Sequence, residues 1–322
     1  MARRTFLVFA LLALLLPRAA MAQEFPVKPV RLVVPYAAGG GSDVIGRLFA
    51  QKLSESLGQS VFVDNRAGAS GIIGADNVAK SPADGYTLLL VDMPHTITPV
   101  FTRKLPYDPV KDFTAVSMVG KTPIFLFTHP SLAVATVAEF LDLARKEGGR
   151  LTLGLAGTGT SGQMLSELLR LNTGVQFTLV PYKGAAPALN DLVGGQIRAM
   201  FASMASGAPH VTAGRLKVIA STGVQRSPEM PDTPTFAEVK VRGMEVEHWY
   251  GIAGPAGVPK AAVDKLAAAI AKASAMPDVR ERMAGVAVEP VASTPEQFRV
   301  RIEADFARWG KLARDANLQP AD

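Results

Sequence analysis

The chain has 322 residues, a formal net charge of +6 and no cysteine. Disulfides and thiolate metal sites are therefore excluded, and a chain of this length can bury a core without such staples. Its pI near 9.5 comes without a clustered Lys/Arg stripe, which argues against a nucleic-acid partner and leaves a mild positive field suited to an anionic small ligand.

Arg3 and Arg4 precede an 11-residue apolar run, Phe6–Leu16, followed by Pro17 and the small-residue stretch Ala20-Met21-Ala22. This is the pattern of a secretory signal peptide with an A-x-A cleavage site, and the run is well short of the roughly 20 residues that span a bilayer. Residues 1–22 are read as a leader, which sends the mature protein to the periplasm. Arg3, Arg4 and Arg18 leave with it, lowering the net charge from +6 to +3.

The mature chain begins with apolar, β-branched runs at Arg31–Pro35, Val61–Asp64 and Thr87–Val91, separated by helical patterns at Asp43–Leu57 and Gly71–Lys80. Continuous apolar strands alternating with helices predict a parallel sheet covered on both faces. The rhythm recurs: strands at Leu151–Leu155, Phe177–Val180 and Ile197–Phe201 alternate with helices at Gly162–Leu171 and Ala186–Val193. Two α/β lobes of similar winding are expected. Val116–Thr128 and His248–Gly254 fit neither lobe and are expected to be crossover strands forming a hinge. Lobe I then comprises residues 23–122 plus 248–322, and lobe II residues 123–247. Helices are expected from about Lys260 and from about Pro295, the latter opened by Thr294 with a capping-box Gln297. Thr136 with Glu139, and Thr235 with Glu238, are further capping-box candidates.

Two loops carry the functional signal. Pro35-Tyr36-Ala37-Ala38-Gly39-Gly40-Gly41-Ser42-Asp43 leaves a buried strand and enters a helix whose apolar residues Ile45, Phe49, Leu53 and Leu57 recur every four positions. The first N–H groups of that helix lack intrahelical partners, Ser42 can cap some of them, and the glycines allow close approach, which together make an anion site. The second loop, Ala156-Gly157-Thr158-Gly159-Thr160-Ser161-Gly162, repeats the arrangement and adds hydroxyl donors. Ligands of open α/β sheets bind beyond the carboxyl ends of the strands, so facing lobes would bring both helix N-termini to one anion. Taken alone, each loop is equally an ordinary tight turn.

Enzyme motifs fail on detail. Ala115 stands where a P-loop ending at Gly120-Lys121-Thr122 needs glycine, and Val44 occupies the third glycine position of a dinucleotide fingerprint. No nucleophile elbow is present. His95, His129, His210 and His248 are scattered without metal spacing, so no catalytic residue, metal or cofactor is assigned. Two tryptophans and 7% aromatic residues argue against a sugar receptor.

The segments PVKPVRLVVPYAAGGGSDVIGR (26–47), VFVDNRAGASGIIGADNVAKSPADGYTLLL (61–90), GTGTSGQM (157–164), VPYKGAAPALNDLVGGQI (180–197), RSPEMPDTPTFAEV (226–239) and WYGIAGPAGVP (249–259) resemble, in this order and spacing, the substrate-binding receptors of tripartite tricarboxylate transporters, the Bug family. The resemblance covers essentially the whole mature chain. It implies a two-lobed type II periplasmic binding protein that closes on a small organic carboxylate. It nominates Tyr36, Ala38, Gly39, Gly40, Ser42 and Asp43 in the first lobe and Thr158, Gly159, Thr160 and Ser161 in the second, with Tyr182 as a further wall candidate. Many members carry Asp or Asn after the strand that ends here at Phe201, where this chain has Ala202-Ser203. With Ser203 at that place and Asp43 as the remaining acid, a plain dicarboxylate or an aromatic acid is expected rather than an amino acid. The implied partners are membrane permease subunits, with the receptor monomeric. A receptor feeding a sensor protein is the alternative, and a periplasmic hydrolase a more distant one.

Overall fold

The computed structural model describes residues 25–315 together with Leu318 and Pro320; the expected signal peptide lies outside the described residues. Strand β1 (Val30–Val34) pairs in parallel with β2 (Val61–Asn65) on one side and β3 (Thr87–Asp92) on the other. Between them run α1 (Gly41–Leu57) and α2 (Ile72–Ala79). Ile45, Phe49 and Leu53 of α1 are fully buried, as their four-residue spacing requires, while Leu57 is only partly covered.

The second half repeats the winding. β5 (Thr152–Leu155) lies between parallel neighbours β6 (Thr178–Pro181) and β7 (Ala199–Ser203), with α5 (Ser161–Thr173) and α6 (Ala185–Val193) in the connections. α3 (Pro94–Phe101) and α4 (Val137–Glu147) precede them, and α7 (Met204–Thr212) and β8 (Lys217–Ser221) follow. Met164, Leu165, Leu168 and Leu169 of α5 face inward as expected. Thr136 and Glu139 form the reciprocal capping box that opens α4.

Both expected segments form strands, β4 (Phe113–Thr128) and β9 (Glu247–Pro255), but only β4 runs through both halves of the sheet, since β9 pairs with β3 and the first part of β4 alone. β4 has 16 residues and is on the order of 50 Å long at the usual rise per residue. It pairs with β9 as far as Pro123, then with β7 and β8 from Ile124 onward. The changeover falls at a proline, which cannot donate to a ladder. The strand order β2-β1-β3-β9-β4-β7-β5-β6 therefore reads alike from either end. Because β9 and β4 run antiparallel to β3, to β7 and to each other, the sheet is mixed rather than purely parallel.

The tail returns to the first half. α8 (Lys260–Ala275) packs on α1; α9 (Pro277–Ala284) and the short β10 (Glu289–Pro290) lead to α10 (Pro295–Asp315). Phe298 of α10 meets Trp249 edge-on at 5.3 Å, and the buried Trp249 indole donates to Asp305 at 2.6 Å. One expected folding signal ends differently. Thr235 and Glu238 exchange the capping-box bonds, yet Lys240 turns to φ +64° and the segment closes as a turn with no helix.

Candidate functional site

The two glycine-rich loops open onto one cavity of about 60 Å³, room for about four to six water-sized groups. From the first loop come Tyr36, Gly40, Gly41 and Ser42; from the second, Ala156, Thr160, Ser161 and Gly162. The far walls are Met200–Ser203 at the end of β7, Ser206 of α7, and His248 and Tyr250 of β9. Asp92 and Pro94, at the carboxyl end of β3 and the start of α3, complete the surround with Ile124 and Ala185.

The loops match in geometry as well as in sequence. Gly39 at φ +84° donates its N–H to Asp43 at 2.9 Å, and Gly159 at φ +76° donates to Gln163 at 2.6 Å. Each glycine sits one residue before its helix N-cap and takes a left-handed turn that a side chain would strain. Neither helix has a side-chain cap. First-turn N–H groups have no partner within their own helix, and the first-turn residues Gly41 and Ser42 of α1 and Ser161 and Gly162 of α5 line the cavity.

The loops also touch the opposite half of the molecule. The Gly41 N–H donates to Ser206 Oγ at 2.7 Å. Thr98 of α3 donates to the Gly159 carbonyl at 3.2 Å, and the first loop meets Gly184 and Ala185–Ala186. Contacts from both halves of the sheet thus border the cavity.

Of the nominated residues, Tyr36, Gly40, Ser42, Thr160, Ser161 and Ser203 line the cavity. The others lie outside that lining. Ala38 and Gly39 are exposed on the rim, and Thr158 and Gly159 form the turn behind the cavity. Tyr182 points away: its hydroxyl donates to Asp191 at 2.7 Å within its own half. Ser42 does not cap its helix, because it lies inside the first turn and its hydroxyl donates to Asp92 at 2.7 Å. Asp43 is buried but fully engaged, accepting from Arg47, the Gly39 N–H and Asn65. Burial raises its pKa, but these donors outweigh it and hold the carboxyl below the usual range.

The acid that faces the cavity is Asp92, which the sequence reading passed over. It is 3% exposed and accepts from Tyr36 Oη at 3.1 Å and from Ser42 Oγ at 2.7 Å. Burial raises its pKa to about 7 despite both donors. A signal was present, since Asp92 ends the strand TLLLVD and sites in such sheets lie beyond strand carboxyl ends. His248 and Tyr250 were also missed. They alternate with Trp249 along β9, so both rings face the cavity, 4.7 Å apart. Asp92 pairs with Tyr250 in register.

Ser161 Oγ lies 3.3 Å from His248 Nδ1. Burial lowers the His248 pKa to about 3, so the ring is neutral and a weak base. Asp92, already bonded to Tyr36 and Ser42, does not orient it. The set lacks the base-and-orienter pair that nucleophilic catalysis uses. Its chemistry is that of a binding wall: hydroxyls, backbone N–H groups and apolar surface from Ile124, Met200 and Phe201. Among the described residues no group of His, Asp and Glu is placed to hold a metal ion, and no helix is long and apolar enough to cross a membrane.

The sequence profile of the tripartite tricarboxylate transporter family receptor matches residues 45–318. The chain belongs to that family. Its relatives include BugT of Bordetella pertussis, 35% identical over 300 residues that cover 92% of each chain. The R. palustris protein Rpa4515, solved with adipate, superposes with a TM-score of 0.89 at 36% identity, covering 92% of this chain and all of that one. MatC from Rhodopseudomonas palustris, solved with bound malate, gives 0.84 at 31% identity, covering 89% and 99%. As a family receptor, the chain has the α/β fold of the periplasmic binding proteins.

Proposed function

We propose that this protein is a periplasmic receptor that captures a small organic carboxylate in the cavity between the two loops. The closed, loaded form is then presented to the membrane permease subunits of a tripartite transporter. The observation that carries this reading is the meeting of two helix N-termini, one from each half of the sheet, at one shared hollow. Backbone N–H groups and the helix dipole favour an anion there. Two relatives of the same fold were solved with adipate and malate, and both of those ligands are carboxylates.

The two lobes are residues 23–122 with 248–322, and residues 123–247. β4 and β9 are the strands about which they part. A ligand touching both lobes favours the closed state through its differential affinity. Native mass spectrometry of the protein purified from periplasm tests the reading. A co-purified acid that is lost on mild unfolding is expected, and calorimetry should show that acid rebinding. Absence of any bound acid, with no heat from a panel of mono- and dicarboxylates, would overturn it.

A further inference from the structure

The two ends of the cavity are not equivalent, and the difference bears on what the captured acid carries. At the α1 end most donors are already used. Tyr36 and Ser42 give their hydroxyl protons to Asp92, the Gly39 N–H goes to Asp43, and the Gly41 N–H goes to Ser206. A resident carboxylate therefore holds the hydroxyls that a ligand anion would need. At the α5 end, Ser161 and Gly162 line the cavity at the first turn of a helix without a side-chain cap. Their N–H groups have no partner within the helix.

Charge points the same way. Among the described residues, Asp92 is the one ionisable carboxylate in the cavity lining, and no Lys or Arg lines it. His248 is neutral and Tyr250 is held protonated by burial. Asp92 has about four lone-pair sites, of which Tyr36 and Ser42 fill two. Acceptor capacity therefore remains on a buried carboxylate bordering the ligand space.

Resting on the carboxylate-receptor reading above, we infer that Asp92 is a specificity-determining residue. The ligand binds with its carboxylate at the α5 end, and its other end presents an ammonium or hydroxyl donor to Asp92. A plain dicarboxylate would set a second anion against Asp92 with no cation to offset it, and would bind only by sharing a proton there. The expectation of a plain dicarboxylate rested on the lack of an acid at Ala202-Ser203 and did not weigh Asp92, which faces the same cavity.

The test is isothermal calorimetry on the full mature protein at pH 7 with four probes: butanoate, 4-hydroxybutanoate, 4-aminobutanoate and pentanedioate, together with their three-carbon analogues. The amino- or hydroxyl-terminated probe should bind at least tenfold more tightly than the methyl-terminated one. Asp92→Asn should erase that preference and improve dicarboxylate binding. A second readout needs no variant. In buffers of different ionisation heat, the amino probe should release protons as Asp92 ionises beside the ammonium, and the dicarboxylate should take protons up. An unchanged ranking in Asp92→Asn, or no proton release with a bound amino probe, overturns this inference while leaving the carboxylate-receptor reading intact. Failure of every acid to bind wild type overturns both.

Discussion

Gly41→Ala offers a direct test of closure around the cavity. A Cβ on Gly41 would lie 2.5 Å from Ser203 Oγ, 2.7 Å from Tyr250 Oη and 3.1 Å from Ser206 Oγ. Gly41 opens α1, and its backbone does not need a positive φ, so alanine is acceptable to the helix itself. The obstruction comes entirely from β7, α7 and β9. Those hydroxyls cannot easily withdraw, since Ser206 accepts from the Gly41 N–H and sits 3.4 Å from Ser203 Oγ. Overpacking of this kind costs about 1–3 kcal/mol, and losing the hydrogen bond to Ser206 adds about 1 kcal/mol. The sum, about 2–4 kcal/mol, corresponds to roughly 30- to 700-fold weaker binding. If the halves part as proposed, the penalty falls on closure and spares the fold. Calorimetry with the acid that best stabilises wild type should show the weakened affinity, and the ligand-free melting temperature should stay within about 3 °C of wild type. Wild-type affinity would mean that the bound state leaves Gly41 clear of Ser203 and Tyr250. A collapse in melting temperature would mean that the halves do not separate.

Other outcomes follow from single side chains. The Asp92 pKa rises from 3.8 to about 7 in the fold, so between these values the folded state keeps a proton that the unfolded chain has released. Wild type should therefore lose about 4 kcal/mol of stability relative to Asp92→Asn between pH 4 and pH 8; urea denaturation across that range checks it, and a constant difference contradicts it. His248 has the opposite sign. Lowered from 6.5 to about 3, it contributes stability that is complete above pH 6.5 and lost as pH falls. His248→Asn should show a flatter acid limb by several kcal/mol, and parallel limbs would refute the burial argument. Ser161→Ala removes one hydroxyl at the α5 end and should weaken binding of the captured acid by about tenfold or more with little change in melting temperature. Phe298→Ala empties the space over Gly251 and beside Trp249, and urea denaturation should show a loss of about 3–5 kcal/mol.

Much of the fold was legible from short-range pattern. The apolar runs at Arg31–Pro35 and Leu151–Leu155 became β1 and β5 because strands buried on both faces must be apolar throughout. The four-residue spacing of Ile45, Phe49 and Leu53 placed α1, and the Thr136–Glu139 and Thr294–Gln297 pairs marked two helix starts. Less visible were α3 and α7, each with an internal proline at Pro99 and Pro209, and α9. The short strand β8 was also missed; it forms because the far end of β4 offers it an unpaired edge.

The residues of the sequence themselves determined the two matched loops, since a glycine turn before an uncapped helix is a local property of the backbone. They also determined the long strand β4, whose continuous hydrophobicity has no place in either half alone. Which groups the loops would meet was decided only by the tertiary structure. Asp92, His248 and Tyr250 stand far from both loops along the chain, and β9 brings them to the cavity by pairing with β3 and β4 at a particular register. The use of Ser42 followed from the same pairing: beside Asp92 its hydroxyl serves a buried carboxylate, not the helix end. Periodicity reports which face of an element is buried. What lies opposite that face depends on long-range packing, and so does the charge a ligand encounters there.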